Sequence, residues 1–131
     1  MREKMLKDSV ELTLPAQQNM MLVLRLTTAG VIARAGLTVD RMDDVKLAVE
    51  EACSCIIDAE NHPSRLSLRF AEEENSLVIS VRGDCGCEGI VLSEDERTVV
   101  QCILDSLVDE VQLCMCGEDV GAIELRVALD R

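Results

Sequence analysis

Aromatic side chains are almost missing from this chain, which has no Trp, no Tyr and a single Phe, Phe70. Any core it forms must be aliphatic and sulfur-bearing, and a hydrophobic content of 48% is ample for one. Basic residues are also scarce: 13 stand against 25 acids, a net charge of −12. A nucleic-acid backbone would be repelled by that balance, and no basic stripe offsets it, so no nucleic-acid partner is expected. The charge permits a basic protein partner without identifying one. Charges interrupt every apolar run before it reaches the length of a membrane span, so no membrane association is expected. The opening Met1-Arg2-Glu3-Lys4 lacks the apolar stretch of a signal peptide, which points to a cytoplasmic protein. At 131 residues, a single domain over 1–131 is the expectation.

Histidine occurs once, as His62, whereas cysteine occurs seven times. An odd cysteine count in a chain expected inside the cell reads as reduced thiols. Three pairs have one intervening residue: Cys53/Cys55, Cys85/Cys87 and Cys114/Cys116. Zinc pairs are usually separated by about two to four residues, so no metal site is expected and burial as small apolar side chains is the stronger reading. A thiol redox or metal sensor is the weaker alternative, with Cys85 and Cys87 as its most accessible thiols.

Val10, Leu12 and Leu14 alternate with polar residues and read as a strand ended by Pro15. From Gln17 to Ala35 the period turns helical. Met21, Leu24, Thr28, Val31 and Ala35 form a stripe, Leu22, Leu26, Ala29 and Ile32 widen it, and Gly36 fits a C-cap. Asp40 reads as the N-cap of a second helix, with Asp43 in a capping-box-like place. That helix runs to about Ala59, with Met42, Val45, Ala48, Val49, Ala52, Cys53 and Ile56 as its apolar face. Glu51 and Cys55 are four residues apart and stack on one flank. By itself Glu51 is either a group presented beside the core or one more solvated acid.

Asn61-His62-Pro63-Ser64 breaks the helix, and the alternating sets Leu66/Leu68/Phe70 and Leu77/Ile79/Val81 predict a hairpin around Glu72-Glu73-Glu74-Asn75. Ser93 with Glu96 forms a capping box for a third helix, which is expected to bury Val99, Val100, Ile103, Leu104, Leu107 and Val108. Strands near 110–116 and 122–129 flank a turn at 117–121. The order β-α-α-β-β-α-β-β predicts an α+β two-layer sandwich, a mostly antiparallel sheet with helices packed on one face.

The second strand of the hairpin ends in Gly83-Asp84-Cys85-Gly86-Cys87-Glu88-Gly89. Glycine lets a backbone pass close to a ligand or take positive φ, and Asp84 offers acceptors at the strand's end. On its own this loop is either a binding edge for a base or phosphate or a tight turn with a solvated acid.

Taken together, several segments resemble the bacterial anti-sigma-factor serine kinases of the histidine-kinase-like and Hsp90-like (GHKL) ATPase superfamily. They are Leu12-Thr13-Leu14-Pro15-Ala16, the helix Asp44-Val45-Lys46-Leu47-Ala48-Val49-Glu50-Glu51-Ala52, Asp84-Cys85-Gly86, and the run from Leu104 to Val111. The resemblance implies an ATP pocket between helices and sheet and a regulator that binds a sigma factor or its anti-anti-sigma antagonist. It also implies a homodimer. Glu51 then falls at the base position, Asp84 at the adenine-binding position and Gly86 at the loop glycine.

The same alignment places Cys55 where the family has a magnesium-binding Asn, and Thr98 and Val100 where it has lid glycines. Magnesium prefers oxygen ligands, and side chains at the lid crowd the approach of phosphates. Glu94, Asp95 and Glu96 add negative charge where a triphosphate would sit. The expectation is a partner-binding regulator with weak or lost binding of ATP and Mg; the alternative is an active serine kinase using Glu51 as base.

Overall fold

The computed structural model describes residues 9–84 and 89–129. Strand β1 (Val10–Pro15) leads through a 3₁₀ turn (Gln18–Met20) into helix α1 (Met21–Ala35), followed by helix α2 (Val39–Ile57). The hairpin β2 (Arg65–Glu73) and β3 (Ser76–Asp84) comes next, then helix α3 (Glu94–Asp105) and the strands β4 (Glu110–Cys116) and β5 (Asp119–Ala128). The strands form one sheet in the order β1-β2-β3-β5-β4, with every neighbouring pair antiparallel. This is the expected α+β sandwich in the expected element order.

The strand period assigns the two faces of the sheet. Leu12, Leu68, Val81 and Ile123 share one row of the register, and Phe70, Ile79 and Leu125 share another. These rows bury against Leu24 and Ile32 of α1, Val45, Val49 and Ile56 of α2, and Leu104 of α3. The intervening row, Glu11, Arg69, Ser80, Glu124 and Gln112, is polar and faces away from the helices. Phe70, the lone aromatic, is 1% exposed. Burying a side chain of that kind contributes about 1.5–3 kcal/mol, so one ring is no substitute for the aliphatic majority.

Local chemistry sets the helix ends, and not always where the sequence pattern pointed. The N-cap of α2 is Thr38, whose hydroxyl accepts from the Arg41 amide, and not Asp40, which lies in the first turn. Asp43 forms no capping box and instead lies 3.6 Å from the Lys46 ammonium. Gly36 closes α1 at φ 80°, a left-handed conformation that favours glycine. Helix α1 starts at Met21 because residues 18–20 wind as a 3₁₀ turn. Leu22 and Leu26, expected to widen its buried stripe, are 63% and 66% exposed.

A polar clamp ties the ends of three elements together. Arg41 of α2 pairs with Asp109 and donates to the Leu107 carbonyl at 3.5 Å, while Asp109 also accepts from the Ala128 amide at 2.8 Å. The turn between α3 and β4 is thereby fixed to the start of α2 and the end of β5.

Candidate functional site

Helix α2 presents one face to the core and an adjacent flank to a groove. Val45, Ala48, Val49, Ala52, Cys53 and Ile56 are buried, as the period of the sequence requires. Glu51, Ser54, Cys55 and Asp58 follow one another along the flank at helical spacing and line the groove. Asp58 was not singled out from sequence, although its place seven residues beyond Glu51 puts it on the same side.

The opposite wall is α3. Ser93 and Glu96 form the expected reciprocal capping box: the Glu96 amide donates to Ser93 Oγ at 3.1 Å, and the Ser93 amide donates to Glu96 Oε1 at 2.8 Å. Within the helix only Leu104 is buried. Val99 and Ile103, expected in the core, are 56% and 37% exposed. With Asp95, Glu96 and Val100 they line the groove, and Leu92 joins them. The groove has a volume of about 410 Å³.

Four carboxylates, Glu51, Asp58, Asp95 and Glu96, line this space. Among the described residues lining it there is no Lys, Arg or His. The thiol of Cys55 registers the environment: its pKa is pushed from 9.0 to about 11 by burial first, then by the negative charges of Glu96, Asp58 and Glu51. Cys53, two residues earlier and buried, is also pushed up, by burial and then by Glu50. Both thiols are therefore held protonated and poorly nucleophilic at neutral pH. Of the other described cysteines, Cys114 is half-buried while Cys102 and Cys116 are exposed. The sequence reading of cysteines as buried apolar groups thus holds fully only for Cys53 among the described residues.

The structure does not place Asp84 among the residues lining this groove. Strand β3 continues through it, with Asp84 paired opposite Arg65 and exposed. Its carbonyl accepts from the Ser64 amide at 3.1 Å. The preceding Gly83 explains how the strand end comes near α2. A Cβ there would meet Ile56 Cγ2 at 2.7 Å, so only glycine lets the strand pass this closely. Ile56 is the residue after Cys55, and the strand end therefore abuts the turn of α2 that carries the thiol. Gly86, Cys85 and Cys87 lie outside the described residues.

A residue read from sequence only as a helix breaker organises the chain entering α3. The Asn61 amide donates to the Gly89 carbonyl at 3.0 Å, and its oxygen accepts from the Val91 amide at 3.0 Å. Ile90 and Val120 exchange backbone hydrogen bonds at 2.8 and 3.0 Å. A Cβ on Gly89 would lie 2.4 Å from the Val120 carbonyl oxygen, so glycine is required for that approach. The segment bearing Leu92 is thus pinned from two sides.

No protein-family model matches the sequence. The chain is 33% identical over 79 residues to a serine-protein kinase RsbW of Halalkalibacterium halodurans, covering 58% of this chain and 49% of that protein. It is 34% identical over 82 residues to the serine-protein kinase RsbW of Bacillus subtilis, covering 59% and 51%. The chain spans about half the length of the curated relatives it matches. Among solved structures, the RsbU and RsbW domains of a Mycobacterium tuberculosis protein superpose with a TM-score of 0.67 at 18% identity, over 94% of this chain and 33% of that one. The chain is therefore similar in sequence to RsbW serine-protein kinases and shares the fold of that structure. No described helix is long and apolar enough to cross a membrane.

Proposed function

We propose that this chain is a regulator of the anti-sigma-factor type that acts by binding a protein partner, a sigma factor or its antagonist, and that holds nucleotide weakly or not at all. The similarity to RsbW proteins supports the regulatory role. The observation that carries the nucleotide half is the groove itself: four carboxylates line it, with no cation among its described lining residues.

The fit to a magnesium-bound triphosphate is poor on physical grounds. Glu51 and Asp58 offer oxygen atoms, but Cys55 between them is a neutral, protonated thiol, a weak ligand for a hard cation. The N-terminus of α3 would favour an anion through its dipole, worth about 0.3–1 kcal/mol at an exposed end. Three acids in its first turn, Glu94, Asp95 and Glu96, oppose that attraction. Thr98 and Val100 stand where phosphate-lid glycines would, and the Thr98 hydroxyl is already engaged with the Glu94 carbonyl at 3.0 Å. We therefore derive no phosphoryl-transfer step from these residues.

A kinase remains the second reading because Glu51 lines the groove, where a base for an acceptor hydroxyl would stand. Asp84 and Gly86 keep the adenine-edge roles that the sequence resemblance implies, and a homodimer keeps its place as the proposed assembly. Calorimetry of the purified chain against the sigma factors and antagonist proteins of its own genome, with and without Mg-ATP, tests the proposal. Nucleotide-independent binding of one of them is the expected result. Binding seen only with Mg-ATP, or phosphate transfer to an antagonist, would overturn it in favour of the kinase.

A further inference from the structure

The groove between α2 and α3 is lined by apolar side chains and acids together. Val99 and Ile103 are exposed large aliphatic residues on a helix that buries only Leu104. Leu92 and Val100 continue the apolar surface into the groove. Leu47, 48% exposed and one turn before Glu51 on the same flank of α2, prolongs it. Exposed apolar surface rimmed by charge marks a binding surface more often than it marks an accident of composition.

The occupant follows from charge and shape. An anion is disfavoured by Glu51, Asp58, Asp95 and Glu96. A second copy of this chain carries the same net charge of −12 and so lacks the excess of cations that these four acids favour, which leaves a homodimer to another surface. A trough between two helices accepts a third helix through apolar anchors one turn apart, with the flanking residues meeting the walls. Opposite charge across such an interface speeds encounter and sets orientation.

Resting on the partner-binding reading above, we propose that this groove takes an amphipathic helical segment of the protein partner, with two aliphatic anchors packed on Val99 and Ile103 and flanking lysines or arginines facing the four carboxylates. The acids that make the groove unsuited to a triphosphate thereby become its recognition element. Asp95 and Glu96 do this from one wall, and Glu51 and Asp58 from the other.

The probe is a labelled helical peptide of about five turns, leucines at helical i, i+3 and i+4 spacing and lysines beside them. Two controls replace its lysines by glutamate or its leucines by glutamine. Fluorescence anisotropy with the whole chain is expected to show binding of the first peptide alone, weakening as salt rises. Val99→Asp and Asp95→Lys, both at exposed positions, are each expected to weaken it at least tenfold. Methyl resonances of Val99 and Ile103 in the unsubstituted chain should move on titration, which reports the site even if a variant folds poorly. Undiminished affinity in both variants, equal affinity for the glutamate peptide, or unmoved methyls would overturn the proposal. Self-association that Val99→Asp abolishes would also overturn it, assigning the groove to a second copy. Failure of the peptide alone leaves the partner-binding reading standing on another surface. Displacement of bound peptide by Mg-ATP would instead preserve the groove and remove the reading of lost nucleotide binding.

Discussion

Cys55 of α2 and Glu96 of α3 face one groove from opposite walls, and after burial the Glu96 carboxylate is the largest influence holding the thiol protonated. With a pKa of about 11 in place of 9.0, Cys55 should react slowly with iodoacetamide at neutral pH and faster only in strong alkali. Glu96→Gln preserves the capping box, which accepts Gln as well as Glu, while removing the charge. The expected outcome is a lower Cys55 pKa in the pH profile of alkylation, followed by mass spectrometry. An unchanged profile would show that burial alone sets it. An unfolded thiol loses its proton near 9.0 while the folded one keeps it to about 11, so the Cys55 contribution to stability is fully present below that window and is lost as pH rises through it.

Thr38, not Asp40, supplies the capping oxygen of α2. Thr38→Ala should destabilise by about 1 kcal/mol in urea unfolding. Asp40→Ala should cost less, about the few tenths of a kcal/mol of a first-turn acid. The reverse ranking would restore Asp40 as the cap.

Leu104 and Val99 test which side of α3 holds the fold together. Leu104 is fully buried, so Leu104→Ala should destabilise by about 2–5 kcal/mol. Val99→Ala lies on the groove side and should stay within about 0.5 kcal/mol. Equal losses in chemical denaturation would mean that Val99 packs into the core as Leu104 does.

Asn61 satisfies one carbonyl and one amide of the segment leading into α3. Asn61→Ala leaves both without that partner and should destabilise by about 1–3 kcal/mol. Hydrogen exchange should rise at the Val91 amide specifically. Protection unaltered at Val91 would show that the Ile90–Val120 bridge alone holds the segment.

The strands and the core face of α2 were legible because their periods are clean: Leu66/Leu68/Phe70 and Val45/Ala48/Val49/Ala52 each have one solution. The faces of α1 and α3 were not. In α1 apolar residues wrap most of the helix, and in α3 the apolar arc of Val99, Val100, Ile103 and Leu104 is wider than the face the core covers; a period cannot distinguish an aliphatic residue turned to the core from one turned to an open groove. Leu22, Leu26, Val99 and Ile103 fell on the second side. Thr38 and Asp40 are both good capping types two residues apart, and local sequence does not choose between them. Within the site, Glu51 and Cys55 were found together through their spacing. Asn61 acts across 28 residues of chain on Gly89, a pairing that only the fold creates. Asp84 was legible as a strand-end residue, and its pairing with Arg65 makes it the last residue of β3.

The proposed loss of nucleotide binding concerns the groove walled by α2 and α3. Its most direct test is the melting temperature of the purified chain with and without millimolar Mg-ATP. A ligand present at about 100 times its dissociation constant stabilises by about 2.7 kcal/mol, a shift of several degrees for a chain of this size. No resolvable shift is expected; a rise of that magnitude, lost on Glu51→Ala, would overturn the loss of nucleotide binding at this groove.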